Sequence, residues 1–387
     1  MSDSTMRVLY IIHSSAMGGA TISFLNLIMG LKDKGVEPHV IVNKDIVNEE
    51  FNSILERNAI PYYEAGIVTS VIPRIHSPRG GASFIKKRLL FPSKIRRSRK
   101  DIGRIVNIVK PDIIHTNTGV VHEGYWVAKK LHIPHVWHLR EYQTKDFDWM
   151  IYPSYRRFCS DLLNSYVITI TDGIKSYFRL DKSSKAITIY NGIFSNKKVF
   201  PRVEKEDCFL LCSRITKEKG HEDAIRAFGN FSKNKSYRLV IAGFGDESYQ
   251  RWLMDLAGSL NCSDRIEFIG FRNDVTDIMS RAKALLVPSF YEGFGRMTAE
   301  AAFCGTLVIG RNTGGTKEIL DKTGGGYLFS TVAELTDMME TVAVLSPEDY
   351  SGIAESARQI ARDNYSVEGN VSNTLAYYSF ILDAGRK

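Results

Sequence analysis

Residues 284–305 read ALLVPSFYEGFGRMTAEAAFCG, which is an apolar run followed by a glycine-rich turn and a helix-forming run. This order predicts a strand, a turn and the start of a helix. Glu292 lies in the turn and Glu300 lies in the predicted helix, with seven residues between them. In a parallel sheet, both carboxylates would face a ligand beyond the carboxyl ends of the strands. The stretch therefore predicts an α/β fold with a ligand site at this turn.

Short apolar runs alternate with helical segments on both sides of this stretch. A clear helix is predicted over Thr21–Lys34, where apolar residues recur at helical spacing. Such alternation indicates parallel sheets with helices on both faces. The predicted strands are RVLYII (7–12), PHVIVN (38–43), DIIHTN (112–117), HVWHL (135–139), YVITIT (166–171), CFLLCSRI (208–215), RLVIAG (238–243), RIEFIG (265–270), AKALLVPS (282–289), TLVIGR (306–311) and GGYLFS (325–330).

The pattern stops once and begins again, which predicts two Rossmann-like, doubly wound domains. We assign the first to residues 1–193 and the second to residues 205–365, joined by a linker of turn-forming and charged residues at 194–204. Residues 366–387 form a predicted terminal helix that would pack back on the first domain. Because ligands bind beyond the carboxyl ends of parallel strands, we expect two facing sheets to enclose one deep cleft.

The composition is ordinary for a globular protein. The chain has 387 residues, of which 44% are hydrophobic and 24% are charged. No apolar run approaches the roughly 18 residues that a membrane span needs. The five cysteines are odd in number and scattered, which argues against a disulfide framework and against a zinc site. These features predict a cytoplasmic protein.

Net charge is +8, and it is concentrated in one segment. Residues 86–104 hold nine Lys or Arg and one Asp, whereas the rest of the chain has 42 basic and 42 acidic residues. A helix beginning after Pro92, with Ser93 as its cap, would carry apolar residues on one face and most charges off it. This segment would lie on an anionic membrane surface or form a solvated helix face. Nucleic-acid binding is disfavoured, since no aromatic residues alternate with the charges.

Each predicted domain opens with a strand followed by a possible phosphate-binding turn. In MGGAT, the amides of Gly18 and Gly19 would approach a phosphate or a sugar without a Cβ in the way, although two glycines before a helix are often only a tight turn. In SRITKEKG, Arg214 and Lys219 follow the first strand of the second domain. Two cations there suit a diphosphate, unless they are simply exposed basic residues.

Several motifs in one order resemble a known family. They are the GG turn, TIYNGI (188–193), SRITKEKG, RLVIAGFGDE, RIEFIGF, EGFGRMTAE and TGGTKEIL. Over nearly its whole length the chain resembles the retaining GT-B glycosyltransferases of family 4, which include bacterial polysaccharide and phospholipid mannosyl- and glucosyltransferases. The resemblance implies a metal-independent hexosyltransferase that takes a nucleotide-sugar donor, typically UDP-linked. It implies a hydroxyl of a glycan or lipid-linked saccharide as acceptor.

The resemblance also implies roles for individual residues. Arg214 and Lys219 would hold the diphosphate, and Glu300 would accept hydrogen bonds from the ribose. Glu292 would face the donor sugar as a catalytic residue. The base would lie near 270–272, which includes Phe271. The turn would contact sugar and phosphate through the backbone around Phe294, Gly295, Arg296, Met297 and Thr298.

A catalytic histidine in the first domain is implied as well. His138 in HVWHLRE matches it, with His115 in DIIHTNTG as the alternative. Family members often have Asp after this histidine, whereas this chain continues with Leu139, Arg140 and Glu141. The histidine would bind the donor sugar or place the acceptor.

Other functions remain as alternatives. The chain would also suit a non-catalytic nucleotide-binding subunit or a GT-B sugar-nucleotide epimerase. Gly243 and Gly245 partly imitate a dinucleotide fingerprint, but Ser248 stands where the third glycine belongs. Asp146 and Asp148 form an Asp-x-Asp without a strand leading into it, which favours surface carboxylates over a metal site.

Overall fold

The computed structural model describes residues 5–73, 78–144 and 149–385. The chain divides into two compact units. Unit one comprises Met1–Gly192 and Val367–Lys387, and unit two comprises Ile193–Ser366. Residues 194–204, which we predicted as a linker, are part of unit two. There Phe194 forms a parallel bridge with Ser366, because the chain leaves and re-enters unit one at neighbouring points.

Unit one is built on a seven-stranded parallel sheet in the order β3-β2-β1-β5-β6-β8-β9, and a separate antiparallel pair joins β4 and β7. The strands are β1 (Met6–Ile11), β2 (Val36–Asn43), β3 (Tyr62–Ala65), β4 (Val71–Pro73), β5 (Ile113–Thr116), β6 (His135–Leu139), β7 (Trp149–Ile151), β8 (Tyr166–Thr169) and β9 (Ala186–Thr188). The helices are α1 (Gly19–Asp33), α2 (Glu49–Arg57), α3 (Pro78–Val109), α4 (Glu123–Leu131), α5 (Tyr155–Leu163), α6 (Asp172–Tyr177) and, at the end of the chain, α14 (Val367–Gly385).

Unit two is built on a six-stranded parallel sheet in the order β12-β11-β10-β13-β14-β15. Its strands are β10 (Glu206–Cys212), β11 (Arg238–Ala242), β12 (Ile266–Gly270), β13 (Ala282–Val287), β14 (Leu307–Arg311) and β15 (Gly326–Phe329). Its helices are α7 (His221–Phe231), α8 (Glu247–Ser259), α9 (Val275–Arg281), α10 (Arg296–Cys304), α11 (Gly314–Thr323), α12 (Val332–Ala343) and α13 (Pro347–Tyr365). All eleven strands predicted from the sequence are present in the two parallel sheets.

The last helix completes the core of unit one. The α14 side chains of Val371, Tyr378 and Ile381 are buried in the same apolar cluster as Phe24 and Ile28 of α1. At Gly30 of α1, a Cβ atom would overlap the Val371 side chain, so the two helices pack closely. Residues more than 300 positions apart in sequence therefore share one core.

In both sheets the strand order reverses beside the first strand of the unit. The reversal lies between β1 and β5 in unit one and between β10 and β13 in unit two. At such a point two neighbouring loops leave the sheet in opposite directions and open a crevice at the carboxyl ends of the strands. The loops after these four strands are therefore where each unit offers a ligand site.

The basic segment forms part of a longer helix than the sequence predicted. We expected the helix to begin after Pro92, but α3 runs from Pro78 to Val109 with Pro92 inside it. Ser93 is not an N-cap, since its hydroxyl donates to the Leu90 carbonyl within the helix, at 2.8 Å. Residues before Pro92 are rich in good helix formers, which favours continuing the helix through the proline.

Candidate active site

The switch point of unit two brings together a predicted cation and a predicted carboxylate. Lys219 ends a short 3-10 turn after β10, and Glu292 lies in the turn after β13. The Lys219 Nζ atom lies 2.6 Å from Glu292 Oε1, and the two side chains are 18% and 23% exposed. The residues are 73 positions apart in sequence, and the strand order brings their loops to the same edge of the sheet.

A glycine allows the two loops to approach. Gly220 has a φ of +72°, and a Cβ atom there would overlap the carbonyl oxygen of Pro288. Next to it, the Phe290 amide donates to the Glu218 carbonyl at 3.0 Å. A side chain at position 220 would therefore push the loop that carries Lys219 away from the loop that carries Glu292.

The TGGT motif holds the Glu292 turn from its other side. The Gly315 amide donates to the Glu292 carbonyl at 2.8 Å. A Cβ atom at Gly314 would lie 2.5 Å from the same oxygen, and one at Gly315 would overlap the Phe294 carbonyl. The start of α11 thus packs directly on the turn and limits where the Glu292 side chain can point.

Helix α10 begins at Arg296, directly after Gly295, whose φ of +83° is left-handed. Its first amides point beyond the sheet edge, an arrangement that attracts anions. Glu300 lies one turn further on, and its Oε1 atom is 2.7 Å from Arg296 Nε. Burial raises the pKa of Glu300, and Arg296 opposes that rise. Arg296, which is predicted to line the donor site, therefore also bonds Glu300, the residue predicted to accept hydrogen bonds from the ribose.

Two other residues of the turn, Phe294 and Thr298, serve the packing of unit two. Phe294 is 5% exposed and packs edge to face against Tyr365, with ring centroids 5.8 Å apart. Thr298 is buried, and its hydroxyl lies 3.4 Å from that of Thr316, while Met297 is half-buried. Any contact of Phe294 or Thr298 with a ligand would therefore come from the backbone, as the resemblance implied for this turn.

Two exposed aromatic residues stand side by side at the ends of β11 and β12. Phe271, which the sequence singled out, is 69% exposed, and Phe244 is 60% exposed. Their ring centroids are 6.2 Å apart. Phe244 was missed, although the phenylalanine after the strand in IAGFG was a signal for it. Arg214, at the end of β10, is likewise exposed.

In unit one, Gly18 and Gly19 lie where β1 leads into α1. Gly18 is the N-cap with an extended φ of −140°, and α1 begins at Gly19. A Cβ atom at Gly18 would meet nothing closer than the Ala16 carbonyl oxygen at 4.0 Å, so the fold does not require glycine there. Both glycines are exposed, so the first amides of α1 are open to a ligand.

The two candidate histidines of unit one form one hydrogen-bonded chain. His115 Nε2 and His138 Nδ1 are 3.1 Å apart, and His115 Nδ1 lies 2.6 Å from the Tyr378 hydroxyl. Tyr378 in turn donates to the Tyr10 hydroxyl at 3.2 Å. Within the described part of the chain, His138 Nε2 is the ring nitrogen of this pair that lacks a hydrogen-bond partner. This distinguishes His138 from His115, because only His138 has a nitrogen to spare.

Both rings are held in the neutral state. Burial and the nearby Arg140 keep the pKa of His115 and that of His138 well below the ordinary value. At neutral pH His138 would therefore offer a neutral nitrogen and carry no positive charge.

Arg140 and Glu141 follow His138, where members of the resembled family often have Asp, and they bond neighbouring loops. Arg140 donates through Nε to Asn117 Oδ1 at 2.9 Å and through Nη1 to Asn191 Oδ1 at 2.8 Å. Glu141 accepts from the Thr118 hydroxyl at 2.6 Å. These bonds fix the loops after β5 and β6, beside the two histidines.

The glycines of the dinucleotide-like motif have a packing role. Gly243 and Gly245 allow close packing, since Cβ atoms there would overlap the Ser213 and Ile215 carbonyl oxygens. These glycines thus let the loop after β11 pack against the loop after β10. Asp146 and Asp148 lie outside the described residues. Within the described ranges, no group of three or more His, Cys, Asp or Glu side chains is placed to hold a metal ion.

Comparison with known families matches both units. Residues 193–359 match the family described as glycosyl transferases group 1, and residues 17–196 match glycosyltransferase family 4. The chain is 27% identical over 190 residues to N-acetyl-alpha-D-glucosaminyl L-malate synthase of Bacillus anthracis, covering 48% of this chain and 49% of that protein. It is 29% identical over 238 residues to an uncharacterized glycosyltransferase of Methanocaldococcus jannaschii, covering 56% and 60%. The matched region thus spans less than two thirds of either relative's length.

Solved structures share the fold over nearly the whole chain. HepE of Anabaena in complex with UDP is 19% identical, with a TM-score of 0.76, covering 97% of this chain and 100% of that one. A glycosyltransferase of Rickettsia africae is 18% identical, with a TM-score of 0.77, covering 98% and 99%. These neighbours have the GT-B fold of two Rossmann-like domains, and so does this chain.

Proposed function

Because the chain belongs to the family 4 glycosyltransferases of the GT-B fold, we propose that it transfers a sugar from a UDP-linked donor to a hydroxyl of a glycan or lipid-linked saccharide. The pathway we propose is the synthesis of bacterial cell-surface polysaccharide. One observation carries the proposal: Lys219 and Glu292 meet, 2.6 Å apart, at the switch point of unit two. Support for UDP comes from HepE, whose crystal structures contain UDP or UDP-glucose.

The diphosphate would lie between the cations and α10. Departure of the sugar leaves negative charge on the diphosphate, and Lys219, Arg214 and the first amides of α10 would stabilise that charge. Arg214 offers a planar pair of donors and Lys219 a point charge. We propose that this stabilisation needs no metal ion.

The two glutamates would hold the rest of the donor. Glu292 would face the sugar and favour the positive charge that develops on its ring as the bond breaks. Glu300 would accept hydrogen bonds from the ribose with its remaining lone pairs, since Arg296 uses one oxygen. The exposed rings of Phe244 and Phe271 offer an apolar, aromatic surface for the base.

In unit one, we propose binding roles for Gly18, Gly19 and His138. The open amides of Gly18 and Gly19 suit a phosphate or a sugar hydroxyl. His138 would use its neutral Nε2 atom to bond the donor sugar or to place the acceptor. Retention of configuration would follow if the acceptor attacks from the side that the diphosphate leaves.

Two other functions would use the same fold. A non-catalytic nucleotide-binding subunit tolerates loss of Glu292 or Lys219, yet both are present and paired. A sugar-nucleotide epimerase would convert a donor without any acceptor. Product analysis with a donor alone would separate the epimerase from the transferase.

The first test is thermal unfolding of the protein with UDP, GDP, ADP or NAD, in the presence of EDTA. A ligand that binds only the folded state raises the melting temperature as its concentration exceeds Kd. We expect a rise with UDP and its loss in Arg214→Ala. A Glu292→Gln variant should keep the UDP response and lose transfer. A shift with NAD alone, or full transfer activity of Glu292→Gln, would contradict the proposal.

We also propose that α3 brings the protein to the cytoplasmic face of an anionic membrane. Within the described residues, no helix is long and apolar enough to span a membrane. Leu89 is 75% exposed, and the exposed basic residues of the helix from residue 89 onward are Lys94, Arg96, Arg97, Lys100 and Arg104. Each basic residue near such a surface contributes about 1 kcal/mol.

Vesicle binding tests the membrane proposal. Reversing Arg96, Lys100 and Arg104 to Glu should reduce sedimentation with anionic vesicles at low salt, and neutral vesicles should bind neither protein. Unchanged binding would leave α3 as a solvated helix.

A further inference from the structure

A second concave site lies within unit one, away from the two histidines. It is a cavity of about 690 Å³ between helix α3 and the loops that follow β2 and β3. The lining residues are Lys44, Asp45, Gly66, Ile67, Val68, Thr69, Val71, Leu90, Phe91, Lys94, Arg97 and Ser98. This volume is in the range of small-ligand sites.

Three cations line this cavity without partners of their own. Lys44, Lys94 and Arg97 are exposed, and across residues 5–73, 78–144 and 149–385 none of them makes an ion pair or a hydrogen bond. Asp45 is the carboxylate of the lining. Among the described lining residues, three positive charges stand against one negative charge, and the Asp101 carboxylate also lies near Gly66. The excess of positive charge favours an anion, and the lack of direct partners leaves the donors available.

Apolar residues complete the lining, and on α3 they lie beside the cations. Ile67 and Phe91 are buried beneath the cavity, and Leu90 is 47% exposed at its rim. Leu89, the preceding residue of α3, is 75% exposed. An apolar wall continuing into exposed leucines suits an aliphatic chain that leaves the cavity beside the anionic head.

The cavity lies on the carboxyl edge of the sheet, where ligands of parallel sheets bind. Asn43, the last residue of β2, hydrogen-bonds the His13 carbonyl and the Ile67 amide, each at 3.4 Å. The Ser70 amide donates to the Val120 carbonyl, at 2.6 Å, in the loop after β5. The cavity loops are therefore tied to the loops after β1 and β5 that form the switch point of unit one.

We infer that this cavity binds the phosphate head of an aliphatic amphiphile, and that the acceptor of the proposed transfer is a phosphate-bearing lipid. The cations Lys44, Lys94 and Arg97 hold the phosphate, and Leu90 with Leu89 contacts the chain. This inference rests on the proposed function for the identity of the ligand as an acceptor. The binding site itself stands on the cavity and its charges.

The test is a binding titration of the full chain with octyl phosphate below its micelle concentration. Inorganic phosphate and octyl glucoside serve as probes of the head and of the chain alone. We expect octyl phosphate to bind at least about tenfold more tightly than either, since its head and its chain both contribute. The pair Lys94→Ala and Arg97→Ala should weaken its binding by about tenfold or more.

A matched control lies on the same helix. The pair Lys100→Ala and Arg104→Ala removes the same charge from exposed positions of α3 that do not line the cavity. It should leave the affinity for octyl phosphate within about twofold, because only long-range attraction is lost. Equal weakening by both pairs would overturn the site, because general surface charge would then account for binding.

A third variant separates a lipid phosphate from free phosphate. Leu90→Ser should weaken the binding of octyl phosphate and leave the binding of inorganic phosphate unchanged. If inorganic phosphate binds as tightly as octyl phosphate, or octyl phosphate does not bind, the lipid inference is wrong.

The titration contains no donor, so its result does not depend on the transfer reaction. The UDP response of the same samples, which the cavity variants should retain, reports the proposed function separately.

Discussion

At the scale of single residues, the ion pair of Lys219 and Glu292 links two predicted roles. Each charge is the partner of the other, at 2.6 Å, and both side chains are largely buried. Removing one charge leaves the other unpaired at a largely buried position, where water cannot fully solvate it. A single substitution at either position therefore measures more than the contact of that residue with a ligand.

A double-mutant cycle tests this coupling. Lys219→Ala should weaken UDP binding by about tenfold or more, because the diphosphate loses a cation and meets the uncompensated Glu292. Adding Glu292→Gln to Lys219→Ala should recover part of the loss, as read by titration calorimetry. Strictly additive effects of the two substitutions would contradict coupling through the ion pair.

A buried carboxyl of unit one predicts a pH effect on stability. Burial raises the pKa of Glu123 to about 7, although backbone amides and Arg99 oppose the rise. The folded state therefore binds a proton that the unfolded state releases above its ordinary pKa of 4.5. This contribution to stability is complete below pH 4.5 and is lost as the pH rises through about 7.

Replacing this carboxyl should remove the effect. The unfolding free energy of Glu123→Gln, relative to that of the wild type, should rise by up to roughly 3 kcal/mol from pH 5 to pH 8. Each unit of pKa shift corresponds to about 1.4 kcal/mol. Urea unfolding at both pH values measures it. The control is Glu64→Gln, at an exposed position of β3, which should show no such gain. If the unfolding free energies of Glu123→Gln and wild type differ by the same amount at both pH values, Glu123 is ionised in the folded protein.

At the scale of elements, glycines decide how closely the loops of unit two pack. Gly220 combines a left-handed backbone with contact to the Pro288 carbonyl, while Gly314 and Gly315 bring α11 onto the Glu292 turn. The strands bring these loops to the same edge of the sheet, and the glycines let them touch. The position of Glu292 thus depends on residues that contact no ligand themselves.

Gly220→Ala should therefore damage both stability and the site. The added methyl group meets a carbonyl oxygen and the backbone is strained, so we expect a loss of at least about 2 kcal/mol in unfolding free energy. Gly258→Ala is the control, because no atom lies within 4 Å of a Cβ atom there and Gly258 is inside helix α8. Alanine should stabilise that helix by up to about 1 kcal/mol. Equal effects of the two substitutions would argue against close packing at Gly220.

At the scale of the whole molecule, the path of the chain makes unit one depend on its last helix. Unit one is interrupted after Gly192 and resumes at Val367. The two ends are adjacent, since a Cβ atom at Gly192 would lie 2.7 Å from the Val367 Cα atom. Unit two is a single continuous segment that contains Arg214, Lys219, Glu292 and Glu300.

Fragments test this organisation. Residues 193–366 alone should fold and bind UDP, whereas residues 1–192 should be unstable, because losing α14 uncovers Phe24 and Ile28. Joining 367–387 to residue 192 by a short linker should restore cooperative melting in circular dichroism. A stable, cooperative fragment 1–192 would show that α14 is dispensable.

Local sequence patterns predicted most of the architecture. The eleven strands predicted from apolar runs were all found, because strands buried on both faces must be continuously apolar. The strands β3, β4, β7 and β9 were missed. In unit one, β3 and β9 are the edges of the seven-stranded sheet, and β4 and β7 form a separate pair, so none of them is a long buried apolar run. The start of α3 was wrong because Pro92 lies inside the helix instead of before it.

The residue types of the candidate site were also readable in sequence, but their partners were not. Sequence alone determined the α/β class, the strand–turn–helix around Glu292 and the concentration of basic charge, because each depends on residues close together in the chain. Only the tertiary structure decided that Lys219 meets Glu292, that His138 bonds His115 and that α14 supplies Tyr378. These contacts join residues far apart in sequence, and strand order and backbone packing select them.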